Sequence, residues 1–260
     1  MASGMNYRTI AITGASSGIG AALAIRLAEP GRTLALLGRD AERLGGVATA
    51  CTSKGAACRT ASIDVRDAGQ MSAFFLALDR DSPIDLLIAS AGILDGRHDS
   101  QVVEDGATAR HVLETNLIAT IETVHLVLPG MRRRRHGGIA LVASLAALVP
   151  LPDAPAYSAS KAALLFYGLA LRDAVADDGV RVVVACPGFV STPMGRIHVG
   201  QRPDEVSADA AAIAILNGLR ANRSIIGFPT IPHWLSRLSL LVPESVRRRG
   251  MRKTRFHVAS

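Results

Sequence analysis

Residues 9–20 read TIAITGASSGIG, an apolar run that passes directly into a glycine-rich segment. The run Arg8–Thr13 predicts a buried strand, and the pattern that begins at Ile19 predicts a helix. Glycines between a strand and a helix allow a tight turn, and they let backbone N–H groups approach a phosphate at the helix N-terminus. The segment therefore predicts a dinucleotide-binding loop, with a structural turn without a ligand as the alternative. The predicted contacts come from Gly14, Ser16, Ser17, Gly18, Ile19 and Gly20.

Strands and helices alternate along the rest of the chain. The predicted strands are Arg8–Thr13, Thr33–Leu37, Cys58–Ile63, Ile84–Ser90, Gly138–Ser144, Val180–Cys186 and Ser224–Phe228. The predicted helices are Ile19–Ala28, Ala41–Ser53, Ala68–Leu78, Ala107–Leu128, Ala154–Val175 and Ala208–Leu219. This alternation predicts an α/β fold, a doubly wound parallel sheet of about seven strands with helices on both faces. We expect a single domain over residues 1–260, because this length fits one α/β unit.

The composition supports such a sheet and argues against a nucleic acid partner. Hydrophobic residues make up 49% of the chain and aromatic residues 4%, which suits parallel strands buried among aliphatic side chains. The net charge is +7, but removing six cations in the last fourteen residues leaves +1. We expect no binding to nucleic acid, since no recognition module accompanies this tail and aromatic residues for base stacking are scarce. The six cations are Arg247, Arg248, Arg249, Arg252, Lys253 and Arg255.

The cysteines and the first residues predict a cytoplasmic protein. Cys51, Cys58 and Cys186 are odd in number and lack CxxC spacing, so we expect neither a disulfide framework nor a metal site. The first apolar strand begins within ten residues of Met1, which leaves no room for a secretion signal. No apolar run approaches the ~20 residues that span a bilayer. We therefore expect any membrane contact to be peripheral and weak.

A second motif, Tyr157-Ser-Ala-Ser-Lys161, can move a proton. Tyr157 and Lys161 lie four residues apart in a predicted helix, so both side chains project from one face. A nearby cation lowers the pKa of a tyrosine by roughly one to three units, which makes the phenol a usable acid or base. Ser144 ends a predicted strand, where its hydroxyl can hold a substrate oxygen against Tyr157. An ordinary surface Tyr–Lys pair and a strand-end serine are the alternatives.

The chain resembles the short-chain dehydrogenase/reductase family over about residues 7–192. The resemblance rests on the GxxxGxG spacing of Gly14 to Gly20, on Ser144 with the Tyr–Lys motif, and on Pro187-Gly188. It implies an oxidoreductase that exchanges hydride between a nicotinamide cofactor and a ketone, an aldehyde or a secondary alcohol, with apolar or acyl compounds among the candidate substrates. It also implies that Lys161 bonds the nicotinamide ribose and that Asn116 helps to hold a water that connects Lys161 to solvent. A dinucleotide-binding sensor without turnover and a peripheral membrane scaffold are the alternatives.

Further cofactor contacts follow from the resemblance. Asp64 and Val65 match the family's adenine-edge pair, although Asp64 would also suit a helix N-cap. The family commonly has Asn-Asn-Ala-Gly after the fourth strand, where this chain has Ala-Ser90-Ala91-Gly92. Ala91 and Gly92 keep the close backbone approach, and Ser90 can supply one bracing hydrogen bond. The nicotinamide carboxamide is expected to meet Pro187, Gly188, Val190 and Thr192.

Arg39 is the predicted selector between the two nicotinamide dinucleotides. It follows the second predicted strand, where the adenosine ribose is expected, and a guanidinium beside a 2′-phosphate makes charge-assisted contacts. This position favours NADP(H). If the strand runs longer, Asp40 would face the ribose and favour NAD(H) instead. The simpler alternative for Arg39 is an exposed residue near a helix start.

The C-terminal part of the chain predicts a lid and an apolar helix, and two long helices earlier in the chain predict an assembly surface. Residues 193–206 contain Pro, Gly and Arg196 and are expected to cover the active site; inward-facing Arg196, His198 or Arg202 would favour an anionic substrate. Within residues 230–260, an apolar stripe of Ile231, Trp234, Leu235, Leu238 and Leu241 precedes the basic tail, and it would pack on the domain or touch a membrane. The long helices Ala107–Leu128 and Ala154–Val175 resemble the family's pairing surface and favour a homodimer or homotetramer.

Overall fold

The computed structural model describes residues 7–98, 101–238, 242, 243, 245 and 255–258. Its strands are β1 (Thr9–Thr13), β2 (Thr33–Gly38), β3 (Ala57–Ser62), β4 (Leu86–Ala89), β5 (Gly137–Val142), β6 (Val180–Pro187), β7 (Val190–Ser191), β8 (His198–Val199), β9 (Val206–Ser207), β10 (Ile225–Phe228) and β11 (His257–Val258). Seven of them form a parallel sheet in the order β3-β2-β1-β4-β5-β6-β10. The predicted doubly wound parallel sheet is therefore confirmed.

Helices connect the strands and cover both faces of the sheet. They are α1 (Gly18–Leu27), α2 (Ala41–Thr52), α3 (Ala68–Asp81), α4 (Gly106–Leu113), α5 (Ala119–Arg134), α6 (Pro155–Ala174), α7 (Pro193–Arg196), α8 (Ala208–Arg220) and α9 (Thr230–Leu238). A π-helical turn, Glu114–Ile118, joins α4 to α5, and a 3₁₀ turn, Leu145–Ala147, follows β5. Each long helix returns the chain to the start of the next parallel strand.

Successive strand residues pack into two separate cores. In β1, Ile10 and Ile12 are buried in the layer with α1, α2 and α8, whereas Ala11 is buried in the layer with α3, α5 and α6. The alternation follows from the two-residue period of a strand. Full burial of one such isoleucine stabilises the fold by about 1.5–3 kcal/mol. The two cores hold the sheet rigid beneath the site.

Side-chain caps begin several helices just beyond the strand ends. Asp40, Asp67, Asp105 and Ser207 each accept a hydrogen bond from the backbone N–H three residues later. Such a cap is worth about 1 kcal/mol. Because the seven strands of the sheet are parallel, the loops that follow them converge at one edge. The strand order reverses between β1 and β4, which is where ligands of such sheets bind.

The predicted helix Ala107–Leu128 is longer and less regular than expected. It begins at Gly106, passes through the π-helical turn and continues through Pro129 to Arg134. The last turn of this extension makes ion pairs with neighbouring elements: Arg132 contacts Asp178, just before β6, and Arg134 contacts Asp79 in α3.

The structure describes part of the C-terminal region. The predicted apolar helix is present as α9, in which Ile231, Trp234 and Leu235 are exposed. Residues 255–258 return to the domain and pair through β11 with β8. Leu241 and residues 247–254 lie outside the described residues. In the portion of the chain that is described, no helix has both the length and the hydropathy for a bilayer crossing.

Candidate active site

The glycine-rich loop after β1 has the geometry of a phosphate cradle. Gly14 and Gly18 have φ angles of +68° and +55°, a region that favours glycine. A Cβ at Gly14 would lie 2.8 Å from the backbone of Ala91, and a Cβ at Gly20 would overlap the carbonyl oxygen of Gly14. The loop therefore presents backbone rather than side chains at the N-terminus of α1. These residues fit a dinucleotide pyrophosphate.

Thr13 fixes this loop to the neighbouring strand end. Its hydroxyl accepts a hydrogen bond of 3.2 Å from the N–H of Ala91, and Thr13 is buried. The bracing predicted for Ser90 thus comes from Thr13, because Thr13 ends β1 directly beside the loop that follows β4.

Arg39 is an exposed cation at the end of β2. The strand ends at Gly38, so Arg39 is the first residue beyond it. Asp40 caps α2, because its carboxylate accepts hydrogen bonds from the N–H of Arg43 at 2.9 Å and from Nε of Arg43 at 2.6 Å. These bonds lower the pKa of Asp40. Ser16 Oγ lies 3.1 Å from the position of a Cβ at Gly38, so Ser16 and Arg39 border the same edge.

Asp64 is held by Arg66 and is not a helix cap. Arg66 Nη2 lies 2.7 Å from Oδ2 of Asp64 and Arg66 Nε lies 3.1 Å from Oδ1, and these bonds bring the pKa of Asp64 down to about 2. The N-cap of α3 is Asp67, which accepts from the N–H of Gln70 at 2.9 Å. The N-cap alternative for Asp64 is therefore wrong. Asp64 offers an oriented carboxylate at the end of β3, with Val65 beside it.

Asn116 is fully buried in the π-helical turn and ties two loops together. Its Oδ1 accepts from the N–H of Ile93 at 2.7 Å, and its Nδ2 donates to the carbonyl of Ile93 at 2.9 Å and to Ser160 Oγ at 3.2 Å. A Cβ at Gly92 would lie 3.1 Å from Asn116 Oδ1 and 3.3 Å from Lys161 Nζ. The glycine predicted for close backbone approach therefore leaves room for the amide and the ammonium together.

Lys161 projects from α6 into this buried region. Its Nζ donates to the carbonyl of Val142 at 3.0 Å and lies 5.8 Å from the centroid of the Tyr157 ring. Lys161 is 5% exposed, and burial lowers its pKa to about 8. Tyr157 and Lys161 face the same site, as the four-residue spacing predicts.

The pKa of Tyr157 is raised, so the predicted lowering by Lys161 is wrong for this structure. Burial raises the pKa of the phenol, and a hydrogen bond with Ser144 lowers it by a smaller amount. The low polarity around the phenol disfavours the phenolate more than the nearby groups favour it. At neutral pH the phenol therefore keeps its proton and is available as a donor.

Ser144 follows β5 and caps the 3₁₀ turn. Its Oγ accepts from the N–H of Ala146 at 3.1 Å and lies 3.5 Å from the carbonyl oxygen of Pro187. The two contacts set the direction of the hydroxyl, and Tyr157 lies near enough for this hydroxyl to influence its pKa. Ser144, Tyr157 and Lys161 thus meet at one place beyond the carboxyl ends of β5 and β6.

The segment after β6 reaches the glycine-rich loop. Gly188 N–H donates to the carbonyl of Phe228 at 2.8 Å, and Val190 pairs with β9. The methyl group of Thr192 would lie 3.0 Å from a Cβ at Gly18, so this segment and the loop are neighbours. Thr192 Oγ1 accepts from the N–H of Gly195 at 3.0 Å as the N-cap of α7. The two predicted halves of the cofactor site are therefore contiguous.

The lid segment is folded, and its two arginines are exposed or paired with neighbouring groups. Arg196 is exposed, and Arg202 pairs with Glu205 at 3.1 Å and donates to the carbonyl of Gly195. Of the three basic residues considered for an anionic substrate, His198 alone is buried, and burial lowers its pKa. These contacts do not favour an anionic substrate.

Three residues of this region were missed by the sequence reasoning. Thr13 and Ser160 are ordinary strand and helix residues in sequence, and Arg66 is one of many arginines. Thr13 and Ser160 act through partners far away in the chain, Ala91 and Asn116. Arg66 acts on Asp64 only two residues before it, in a pairing that no motif of the sequence marks. Ser160 alone had a signal, its place inside the Tyr–Lys motif.

A family model described as short chain dehydrogenase matches residues 8–201. The chain belongs to the short-chain dehydrogenase family. Members of this family are oxidoreductases, and their fold binds a nicotinamide dinucleotide. The sensor without turnover is not favoured.

Two curated relatives of this short-chain dehydrogenase are named reductases. The "Ketoacyl reductase HetN" of Nostoc sp. is 36% identical over 186 residues, which is 71% of this chain and 64% of that protein. The "3-dehydrosphinganine reductase TSC10B" of Arabidopsis thaliana is 33% identical over 213 residues, which is 80% of this chain and 62% of that protein. The chain thus spans less than two thirds of the length of either relative.

A solved structure shares nearly the whole fold of the short-chain dehydrogenase. It is the short-chain dehydrogenase from Sphingobium yanoikuyae in complex with NADPH. The TM-score is 0.78 at 26% sequence identity, and the match covers 95% of this chain and 96% of that chain.

Replacing Lys161 with Met should stabilise the cofactor-free protein at neutral pH. A buried lysine whose pKa falls to about 8 costs about 3 kcal/mol relative to its ordinary value, and Met removes the charge with little change in length. Between pH 8 and 10 the unfolded wild-type chain binds more protons than the folded one, so wild-type stability rises with pH. We expect urea unfolding to show that the advantage of Lys161→Met shrinks across that window.

The exposed Lys54 provides the control for this experiment. The Lys54→Met variant measures what the loss of a lysine at the surface does to the free energy of unfolding. A constant advantage of Lys161→Met over the same window would contradict the depressed pKa of Lys161.

Proposed function

We propose that this oxidoreductase is an NADPH-linked reductase of ketones or aldehydes, with the reverse oxidation of a secondary alcohol available to the same site. The observation that carries the proposal is the convergence of Ser144, Tyr157 and Lys161 beside the glycine-rich loop. Reduction is the favoured direction, because a Tyr157 phenol with a raised pKa is a proton donor at neutral pH.

Tyr157 serves as the general acid in this proposal, and Ser144 holds the substrate oxygen. The Ser144 hydroxyl lies near enough to Tyr157 to influence the pKa of the phenol, so an oxygen bound between them would meet both donors. Donors that are fixed before the reaction need no reorganisation when negative charge develops on that oxygen. The bound cofactor supplies the hydride.

Lys161 and Asn116 support proton supply and positioning. A Lys161 pKa near 8 makes its proton exchangeable close to neutral pH, and its Nζ lies on the buried side of Tyr157. The Asn116 side chain fixes the backbone at Ile93 next to Gly92, which keeps open the space that Lys161 occupies. Asn116 therefore positions the lysine, and its role in a water relay stays a prediction.

The cofactor is proposed to lie along the carboxyl edge of the sheet. The glycine-rich loop would hold the pyrophosphate, with Asp64 and Val65 on the adenine side and Ala91 and Gly92 below the ribose. Ser90 would face the same edge. The segment from Pro187 through Gly188 and Val190 to Thr192 would meet the nicotinamide, and Lys161 would meet its ribose.

Arg39 is proposed to select NADP(H) by binding the 2′-phosphate. The exposure of Arg39 and the engagement of Asp40 by Arg43 support this choice over NAD(H). Charge-assisted bonds of this type are worth about 1.5–3 kcal/mol, so Arg39→Gln should raise the NADPH Kd by about 10-fold to 100-fold and leave the NADH Kd nearly unchanged. Parallel fluorescence titrations with the two cofactors measure this difference.

Arg133 provides a matched control for the titrations. It is exposed near the end of α5, so Arg133→Gln removes the same charge at the opposite edge of the sheet. Its NADPH Kd should stay at the wild-type value. Equal weakening of both cofactors by Arg39→Gln would refute Arg39 as the selector. Turnover assays of the wild type with NADPH and a carbonyl panel test the function itself, and no oxidation of NADPH by any member would overturn it.

The substrate is proposed to carry its carbonyl on an apolar or acyl chain. The names of two relatives, a ketoacyl reductase and a 3-dehydrosphinganine reductase, support a ketone of this type. The walls near Tyr157 include Leu151 and Ile197, which are partly buried and apolar. A medium-chain 3-ketoacyl thioester should therefore give a higher kcat/KM than acetone-sized ketones, and the opposite ranking would reject the acyl proposal.

Assembly into a homodimer or homotetramer is proposed through the faces of α5 and α6. Phe166 on α6 is 72% exposed and Ile118 is 48% exposed next to α5, and both would be covered by a second copy. Multi-angle light scattering tests this, and a monomer at micromolar concentration would reject it.

A weak peripheral membrane contact and a cytoplasmic location stay predictions. The exposed Ile231, Trp234 and Leu235 of α9 favour the membrane contact. Arg255 is one of the six tail cations, but it faces an internal carboxylate, which leaves five for a lipid surface. Co-sedimentation with anionic vesicles tests the contact, and equal sedimentation without vesicles would reject it.

A further inference from the structure

The C-terminal strap, Arg255–Val258, crosses the substrate side of the domain. Its β11 residues pair antiparallel with β8, so that His257 faces Val199 and Val258 faces His198. The N–H of Val258 also donates to the carbonyl of Arg97 at 3.1 Å. The strap therefore joins the lid to the loop that follows β4.

Asp153 anchors this strap. Its side chain is only 1% exposed and receives four hydrogen bonds. Arg97 Nε donates at 2.6 Å, Arg255 Nε donates at 2.6 Å and 2.9 Å to the two carboxylate oxygens, and the N–H of Phe256 donates at 3.1 Å. A buried carboxylate with two guanidinium partners is tolerated because its charge is compensated. Removal of that charge would leave Arg97 and Arg255 facing each other.

Aromatic contacts lock the strap to the lid. The ring of Phe256 stacks on His198 with centroids 4.2 Å apart, and His198 meets Phe189 edge-on at 5.0 Å. Phe256 and Val258 are 3% and 4% exposed. The lid at β8 is thus held to the strap by main-chain pairing and by ring stacking.

The strap also borders the proton donor. Phe256 and Val258 form a buried cluster with Ala154, and Tyr157 packs against this cluster together with Ile197. Asp153 lies four residues before Tyr157 and two residues before α6 begins. The anchor, the strap and the phenol therefore belong to one packed unit at the substrate side of the site.

We propose that the C-terminal strap is a fixed wall of the substrate site, that Phe256 sets how large a substrate can be, and that Asp153 is the positioning residue that holds this wall. The inference rests on the proposed carbonyl reduction and adds a specificity determinant to it. A fixed apolar wall favours carbonyl compounds that reach it with an alkyl or ring group and excludes those whose bulk extends past it.

Kinetics of Phe256→Ala test the wall. Replacing the ring with a methyl group opens space for a bulkier substrate. The ratio of kcat/KM for a bulky aryl ketone to kcat/KM for a small cyclic ketone should therefore rise about tenfold, which is the size of effect that one pocket contact has on specificity. Most of this change should come from a lower KM for the bulky ketone. The NADPH Kd should not change. Leu76→Ala, which shortens an exposed apolar side chain of α3, is the control and should keep the wild-type ratio. An unchanged ratio for Phe256→Ala overturns the wall.

A second measurement tests the anchor without any turnover. His198 is 9% exposed, so it should react slowly with diethyl pyrocarbonate, and Asp153→Asn should speed its modification about tenfold. If Asp153→Asn fails to fold, Arg255→Gln is a milder variant, because the side chain of Arg255 is half exposed. Arg255→Gln should also speed the modification of His198. Asp209→Asn, which breaks a remote surface pair with Arg26, is the control.

The possible results distinguish a failure of the anchor or the wall from a failure of the proposed carbonyl reduction. Fast His198 modification in both anchor variants supports Asp153 as the anchor, and wild-type rates in both overturn it. If no carbonyl is reduced by the wild type while NADPH binds, the proposed function fails and the wall fails with it. If the wild type reduces carbonyls and Phe256→Ala leaves the ratio unchanged, the wall alone is wrong.

Discussion

Tyr157→Phe is expected to remove nearly all carbonyl reduction while the NADPH Kd stays within about twofold of the wild type. The phenylalanine keeps the ring and its packing against Ala154, but it deletes the proton donor. General acid catalysis contributes about 10²–10⁴-fold, so kcat should fall by at least about a hundredfold. Steady-state absorbance assays at saturating NADPH measure kcat, and fluorescence titration measures the NADPH Kd.

Tyr167 provides the control within the same helix. Its hydroxyl is buried and, among the described residues, has no hydrogen-bond partner, so Tyr167→Phe should leave kcat near the wild-type value. The pKa of Tyr167 is also raised by burial, which makes the comparison specific to position rather than to a buried phenol. Equal turnover of Tyr157→Phe and wild type would mean that another group donates the proton.

Gly20→Ala should abolish most cofactor binding. A Cβ at this position overlaps the carbonyl oxygen of Gly14, so the turn must move apart where it is meant to hold a pyrophosphate. We expect the Kd for NADPH to rise by at least about tenfold, because several backbone donors of the cradle shift together. Fluorescence titration measures the Kd, and thermal unfolding without cofactor records the accompanying loss of stability.

The control is a glycine whose surroundings are open. A Cβ at Gly45, inside α2, meets nothing within 4 Å. Gly45→Ala should bind NADPH like the wild type and gain about 0.5–1 kcal/mol in the free energy of unfolding, since alanine suits a helix better. Normal NADPH affinity in Gly20→Ala would show that the loop is an ordinary turn.

The sheet and the positions of the site motifs could be predicted because their signals are local. An apolar run such as Val180–Cys186 predicts a strand buried on both faces, and the glycines at 14, 18 and 20 mark a turn without side chains. The family resemblance then placed Ser144, Tyr157 and Lys161 at one edge. The geometry brings these three together as expected.

The remaining features depend on contacts between distant parts of the chain. Asp153 is joined to Arg255 across 102 residues, and neither residue has a sequence pattern that signals the other. Thr13 braces Ala91 across 78 residues. The raised pKa of Tyr157 depends on how completely the fold surrounds the phenol, which the four-residue spacing to Lys161 does not describe.

The π-helical turn Glu114–Ile118 changes the rotational phase between α4 and α5. A wide turn holds about one residue more than an α-helical turn, which displaces every later side chain by roughly 100° around the axis. The helix can therefore pack against α6 before the turn and against α3 after it. Deleting one residue there would restore a uniform helix, so that either Asn116 would rotate away from Ile93 or α5 would turn its polar side toward the core.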